Sequence, residues 1–242
     1  MSGIRRRDLL KGTALTLVGG AAAASVLPDT IPWQPDAGTP PEPVQGQGWK
    51  FFSATEAAAV ESLADRIIPP DPQTPGGKDA GCAVFIDRQL AGPYGRDEGL
   101  YNRPPFIKGS KQQGPQSAQT PAELYRKALA ALDKYCRDKE GKPFAELSEA
   151  RQDALLHGLD GGTVHLEGIE SDTFFKALLK DMQEGFFADP VYGGNRDMCA
   201  WKMIGFPGTR YDYRDWVGRH NERYPHPPVS LAGRPDWNTG KS

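Results

Sequence analysis

The chain has 242 residues, of which 38% are hydrophobic, 28 are glycine and 22 are proline, and its formal net charge is −2. So much Gly and Pro beside a modest apolar fraction predicts one limited core wrapped in long irregular segments, and excludes a tightly regular bundle. Lys and Arg are scattered among acids with no basic stripe, which excludes the electrostatic footprint of a nucleic-acid binder.

Taken in order, Arg5-Arg6-Arg7-Asp8-Leu9-Leu10-Lys11 precedes an apolar run over residues 12–27, with Ala22-x-Ala24 just before Ser25. A charged head, a short apolar body and small residues are the anatomy of an export signal. The run falls short of the roughly 20 apolar residues that a spanning helix needs; retention as an uncleaved anchor is the alternative. The order Arg6-Arg7-x-Leu9-Leu10-Lys11 resembles the twin-arginine signal, which marks proteins exported already folded through the twin-arginine translocon, and so implies a periplasmic location. Residues 1–24 are read as this signal. Residues 25–50, loaded with Pro, Gly, Gln and acids, are read as a flexible linker. Without the signal, 25 basic residues face 30 acidic ones, a balance of −5.

Residues 51–242 are expected to form a helical domain with an extended tail from about residue 209. Ser53-Ala54-Thr55-Glu56 is a capping box, followed by Val60, Leu63, Ala64 and Ile67 at helical spacing and stopped by Pro69-Pro70. A second helix, Cys82–Leu90, carries Val84, Phe85 and Leu90 on its apolar side, and a polar loop follows over residues 92–119. Thr120-Pro121-Ala122-Glu123 starts a long helix to Lys139 with Tyr125, Ala128, Leu129, Leu132 and Cys136 on one face. Ser148 is expected to cap a helix ending near His157-Gly158. Ser171 is expected to cap another with the stripe Phe175, Leu178, Leu179, Met182 and Phe186. No alternating strand pattern of useful length occurs. The fold class is mainly α, an irregular domain of about five to six helices with long Pro/Gly-rich loops.

The segment from Glu184 to Gly208 concentrates Phe186, Phe187, Tyr192, Trp201 and Phe206 among turn formers. Met198, Trp201, Lys202 and Ile204 are spaced for a short amphipathic helix stopping at Gly205. Two readings stand: a loop plugging its own core, or rings facing a partner, since aromatic residues and Arg anchor interface centres. The candidate partner interface is Phe186, Phe187, Tyr192, Arg196, Trp201 and Phe206, with Tyr192 and Trp201 as its expected anchors.

Chemistry-bearing motifs are sparse. The sequence holds no strand-borne G-x-G-x-x-G, phosphate loop, H-E-x-x-H, G-x-S-x-G or C-x-x-C-H, so no flavin, nicotinamide or haem is expected on this chain. No catalytic, cofactor-binding or metal residue is assigned, although His157, His165, His220 and His226 leave a metal site open and Glu184 with Asp189 leaves a paired-carboxylate hydrolase open. Cys82, Cys136 and Cys199 are an odd set whose pairing stays undecided, with Cys199 the candidate for an unusual role.

The leader, the run from Ala64 to Gly81 (ADRIIPPDPQTPGGKDAG) followed by Val84-Phe85-Ile86-Asp87, and the Glu184–Gly208 segment together resemble the gluconate 2-dehydrogenase subunit 3 family. That resemblance covers the leader and roughly Phe52 to Gly208. It implies a small subunit of a membrane-associated dehydrogenase that oxidises sugars or aldonates. Its partners would be a GMC-type flavoprotein large subunit holding FAD and a cytochrome c subunit holding haem c. The small subunit would help the large one fold and carry it through the twin-arginine route, with no catalytic residue of its own. A stand-alone periplasmic enzyme, or a sugar-binding protein using the Glu184–Trp201 loop, is the competing reading.

Overall fold

The computed structural model describes residues 47–98, 103–107, 109–110, 117–209 and 213–231. The expected export signal, with Arg6, Arg7, Leu9, Leu10 and Lys11, and nearly all of the expected linker lie outside the described residues. Among the described residues there are six α-helices: α1 Ala54–Ile67, α2 Cys82–Ala91, α3 Pro121–Glu140, α4 Glu149–Asp160, α5 Ser171–Phe187 and α6 Cys199–Ile204. The β pairing among them is an isolated parallel bridge between Gly208 and Val229. The protein is mainly α.

Local chemistry explains the helix ends. At α1 the Ser53 hydroxyl accepts from the Glu56 amide at 3.3 Å while the Glu56 carboxylate accepts from the Ser53 amide at 2.8 Å. Thr120 and Glu123 repeat this box at α3, behind Pro121 in the first turn, and Gly141 closes that helix in the left-handed region. Such caps contribute about 1 kcal/mol each.

Two other starts differ from expectation. Ser148 stands at the cap position of α4 but its hydroxyl makes no cap bond. Ser171 is the first helical residue of α5, not its cap, because its hydroxyl turns back to accept from the Leu166 amide at 2.9 Å. Helix α4 also runs past His157-Gly158 to Asp160. Gly158 sits inside it where Val164 folds back, so that a side chain there would collide with the valine.

Helix α5 is the central element and touches all five other helices. Its inward residues are Phe174, Leu178, Met182 and Phe186, while Phe175 and Leu179 are half-buried flanks of the expected stripe. On α2, Val84 is likewise half-buried and Ile86 takes an inward place beside Phe85 and Leu90. The Phe174 ring meets Tyr125 of α3 edge-on with centroids 5.7 Å apart.

Two buried carboxylates join segments distant in sequence. Asp87 on α2 accepts from the amides of Lys50, Phe51 and Phe52 at 2.8–2.9 Å and pairs with Arg88, whose guanidinium also donates to the Gly48 carbonyl at 2.6 Å. The chain therefore enters the domain at a fixed point. Asp181 on α5 accepts from the Tyr125 hydroxyl at 2.7 Å and the Tyr94 hydroxyl at 3.1 Å. Burial pushes the Asp181 carboxyl up to about 6, against the opposing effect of the two phenol hydrogen bonds.

Candidate functional site

The aromatic segment after α5 is held by side-chain-to-backbone bonds. Asn195, buried and at φ 45°, donates from its amide nitrogen to the Ala188 carbonyl at 2.8 Å, and its amide oxygen accepts from the Ala200 amide at 2.9 Å. One side chain thus joins the end of α5 to the start of α6. Gly194 lies flat against Gly185 of α5, where a Cβ would run into the Gly185 carbonyl.

The same segment docks on the loop before α2. The Arg196 amide donates to the Ala80 carbonyl at 2.9 Å, and a Cβ on Gly81, itself at φ 83°, would stand 2.5 Å from the Gly193 carbonyl oxygen. Asp197 and Met198 join Asn195 at positive φ. Left-handed geometry at non-glycine residues costs about 1 kcal/mol or more each, and such strain persists where the surrounding contacts over-determine it. Beside this junction lies an open cleft of about 620 Å³, with Thr74, Pro75 and Asp79 on one side and Arg196, Lys202 and Met203 on the other.

The expected interface residues divide into two groups. Phe186 and Trp201 are buried within the chain's own fold: the Trp201 indole donates to the Phe187 carbonyl at 2.9 Å and its ring packs edge-on against Phe206. The loop-plug reading therefore describes these two rings, and Trp201 does not stand out as a free anchor. Arg196 is exposed, and Phe187, Tyr192 and Phe206 are 43–47% exposed.

Met203 and Ile204, 51% and 58% exposed, are two further apolar side chains of this segment that the expected interface did not include. Ile204 is among the residues whose spacing predicts a short amphipathic helix, with Met198, Trp201 and Lys202. However, α6 spans six residues before Gly205 turns left-handed, and its inward residues are Ala200 and Trp201. Phe187, Tyr192, Met203, Ile204 and Phe206 are thus five exposed apolar side chains in the segment that Asn195 and the Arg196–Ala80 bond hold.

The alternative chemistries find little geometric support. Asp189 accepts from the Val191 amide, the Ser230 hydroxyl and the Leu231 amide, while Glu184 is exposed and pairs with Lys180 at 3.3 Å. These carboxylates are engaged separately and do not converge. All four histidines are exposed, and among the described residues no three His, Cys, Asp or Glu side chains gather as metal ligands would. The cysteines are free thiols. Burial, with Cys199 and Asp65 nearby, pushes Cys82 up to about 12, and burial raises Cys136 to about 11. Cys199, whose thiol points to the Asn195 amide oxygen at 3.7 Å, is also raised by burial, so all three are held as thiols and are poor nucleophiles.

The domain is thus helical, with an aromatic loop that is part buried and part exposed. The profile of the gluconate 2-dehydrogenase subunit 3 family matches residues 54–208, well over half of the chain, and the protein belongs to that family. The match begins at the first residue of α1 and ends at Gly208. No curated protein and no solved structure matches the chain at a significant level.

Proposed function

We propose that this chain is the non-catalytic small subunit of an exported, FAD-dependent sugar or aldonate dehydrogenase. In this reading it assists folding of a GMC-type large subunit and carries it through the twin-arginine route, while a cytochrome c subunit takes the electrons. The observation that carries the docking part is the exposed apolar run of Phe187, Tyr192, Met203, Ile204 and Phe206, within the segment matched by the family. Such side chains on a rigid backbone lose little conformational entropy on binding, which favours an interface over a solvated loop. Family membership supports a place in a dehydrogenase complex.

The experiment is co-expression of the flavoprotein with and without this chain. The reading expects soluble, FAD-loaded large subunit to copurify with the chain, and to be lost or aggregated without it. Flavoprotein that folds, loads FAD and reaches the periplasm equally well alone would overturn it.

A further inference from the structure

Cys82 and Cys199 are the first residues of α2 and α6, and both helices leave the junction where the loop before α2 meets the aromatic segment. The carbonyl of Ala80, two residues before Cys82, accepts from the amide of Arg196, three residues before Cys199, at 2.9 Å. Gly81 lies against the Gly193 carbonyl in the same junction. Cys82 is wholly buried, and Cys199 is half-buried and packs against the core cluster that contains Cys82. The two thiols are near enough for a charge on one to act on the other. Cys136 stands apart on α3, where its charged neighbours are Asp133, Glu140 and Arg151. The structure thus selects one pair from the odd set of three.

The two sulfurs differ in access. Cys199 borders the open cleft of about 620 Å³ beside Asp79, Arg196 and Lys202. The amides of Cys199 and Ala200 lie against its sulfur and Lys202 is close, and all of them work against the burial that raises it. Cys82 is enclosed, with Asp65 close by raising it further. Cys199 is therefore the sulfur that a dissolved oxidant reaches first, and Cys82 is the inner partner.

We propose that Cys82 and Cys199 form a disulfide when the folded chain meets a disulfide oxidant, tying the first turn of α6 to the first turn of α2. The Cys199 thiolate attacks a disulfide of the oxidant, giving a mixed disulfide and one oxidant thiol. The Cys82 thiolate then attacks the Cys199 sulfur, which closes the intramolecular bond and releases the second oxidant thiol. Two cysteine thiols are oxidised, one oxidant disulfide is reduced, and the two protons end on the oxidant's sulfurs. Low thiolate content makes both steps slow. The bond closes a long loop between the two segments that carry the family resemblance, which is where a cross-link removes most freedom from the unfolded chain. That the chain meets such an oxidant in the cell rests on the export reading above; the pairing itself does not.

The test uses the full chain, reduced and folded, incubated at about pH 8.5 with oxidised glutathione so that thiolate is present. It is then alkylated, digested and mapped by mass spectrometry. The expected product is a peptide pair joining Cys82 to Cys199, with Cys136 alkylated and the melting temperature raised by roughly 5–10 °C until dithiothreitol reverses it. Cys199→Ser should melt like the reduced chain and show neither the linked pair nor the rise. A second sample, refolded from urea in a glutathione redox buffer, removes the barrier of access to the buried sulfur. Lasting glutathione on Cys199 with Cys82 free would place the two beyond the Cα separation of about 7 Å that a disulfide spans, and would overturn the pair. Links through Cys136, or three free thiols in both samples, would overturn it as well. A linked chain that melts no higher than the reduced one would overturn the tie between the helices. Chain alkylated at the moment of cell lysis should carry the bond. A cellular chain that stays reduced, while the purified chain links, overturns the export reading and leaves the pair standing.

Discussion

The Arg196 amide donates to the carbonyl of Ala80 at 2.9 Å, so the two segments that carry the family resemblance are in direct contact although more than a hundred residues separate them. Around this bond the backbones approach as closely as glycine allows, at Gly81 against Gly193 and at Gly194 against Gly185. The short motifs are thus two sides of one junction, whose product is the fixed position of α6 and the rings around it.

That junction predicts a graded glycine series. Gly205 is at φ 72° with nothing within 4 Å of where a Cβ would stand, so Gly205→Ala should cost only the left-handed penalty of about 1 kcal/mol. Gly81→Ala carries the same penalty plus the collision with Gly193, and should cost roughly 1–3 kcal/mol more. Urea denaturation of both variants measures the difference; equal midpoints would show that the junction can relax and does not position α6.

Trp201 and Tyr192 are expected to behave oppositely. Trp201→Ala removes a buried ring and its bond to the Phe187 carbonyl, and should cost about 3–5 kcal/mol of stability. Tyr192→Ala removes a ring 47% exposed and should leave the melting temperature near wild type. The same change should weaken capture of the flavoprotein by about 2 kcal/mol, roughly thirtyfold. Thermal melting and pull-down on the same preparations separate the two effects. A Tyr192→Ala chain that melts and captures like wild type would remove Tyr192 from the docking face.

What the sequence made legible was local. Both capping boxes, the proline stop after Ile67 and the long face of α3 are written in residues three or four apart, and they stand as expected. Ser171 misled because a hydroxyl next to a helix start can serve a loop amide as readily as a helix amide, and it chose Leu166. The structural roles of Asp87, Asp181 and Asp189 were not legible, since the backbone and side-chain groups that they join to their own helices or loops lie 35 to 87 positions away. The aromatic segment was visible as a cluster, but the division between Trp201 inside and Tyr192 outside depends on Asn195 and the glycine contacts, which set the rotation of α6.

Asp181 predicts a pH dependence of stability. Its folded value is raised from 3.8 to about 6 by burial, with Tyr94 and Tyr125 donating to it and Lys180 and Glu184 close by. The protonated form is the one the fold prefers, so its contribution is fully present below pH 3.8 and is lost as pH rises through about 6. Asp181→Asn keeps the shape and removes the titration. Between pH 4 and pH 7 the wild type should lose stability relative to the Asn variant, by roughly 3 kcal/mol at most. Paired denaturation curves at the two pH values measure it; parallel behaviour of the two proteins would show that Asp181 keeps its ordinary value in the fold.

The last prediction concerns the proposed export route. Asp87 and Arg88 clasp residues 48–52, where the chain enters the domain. In the proposed function one leader serves two proteins, and the large subunit travels only while docked. Arg6→Lys together with Arg7→Lys should therefore retain both this chain and the flavoprotein in the cytoplasm, with periplasmic dehydrogenase activity falling to background, while the complex still forms inside the cell. Cell fractionation with activity staining reads the first effect and copurification reads the second. A double variant with normal periplasmic activity would show that the flavoprotein does not depend on this leader. Loss of the complex itself would show that the two changes act on assembly and leave transport unaddressed by this route.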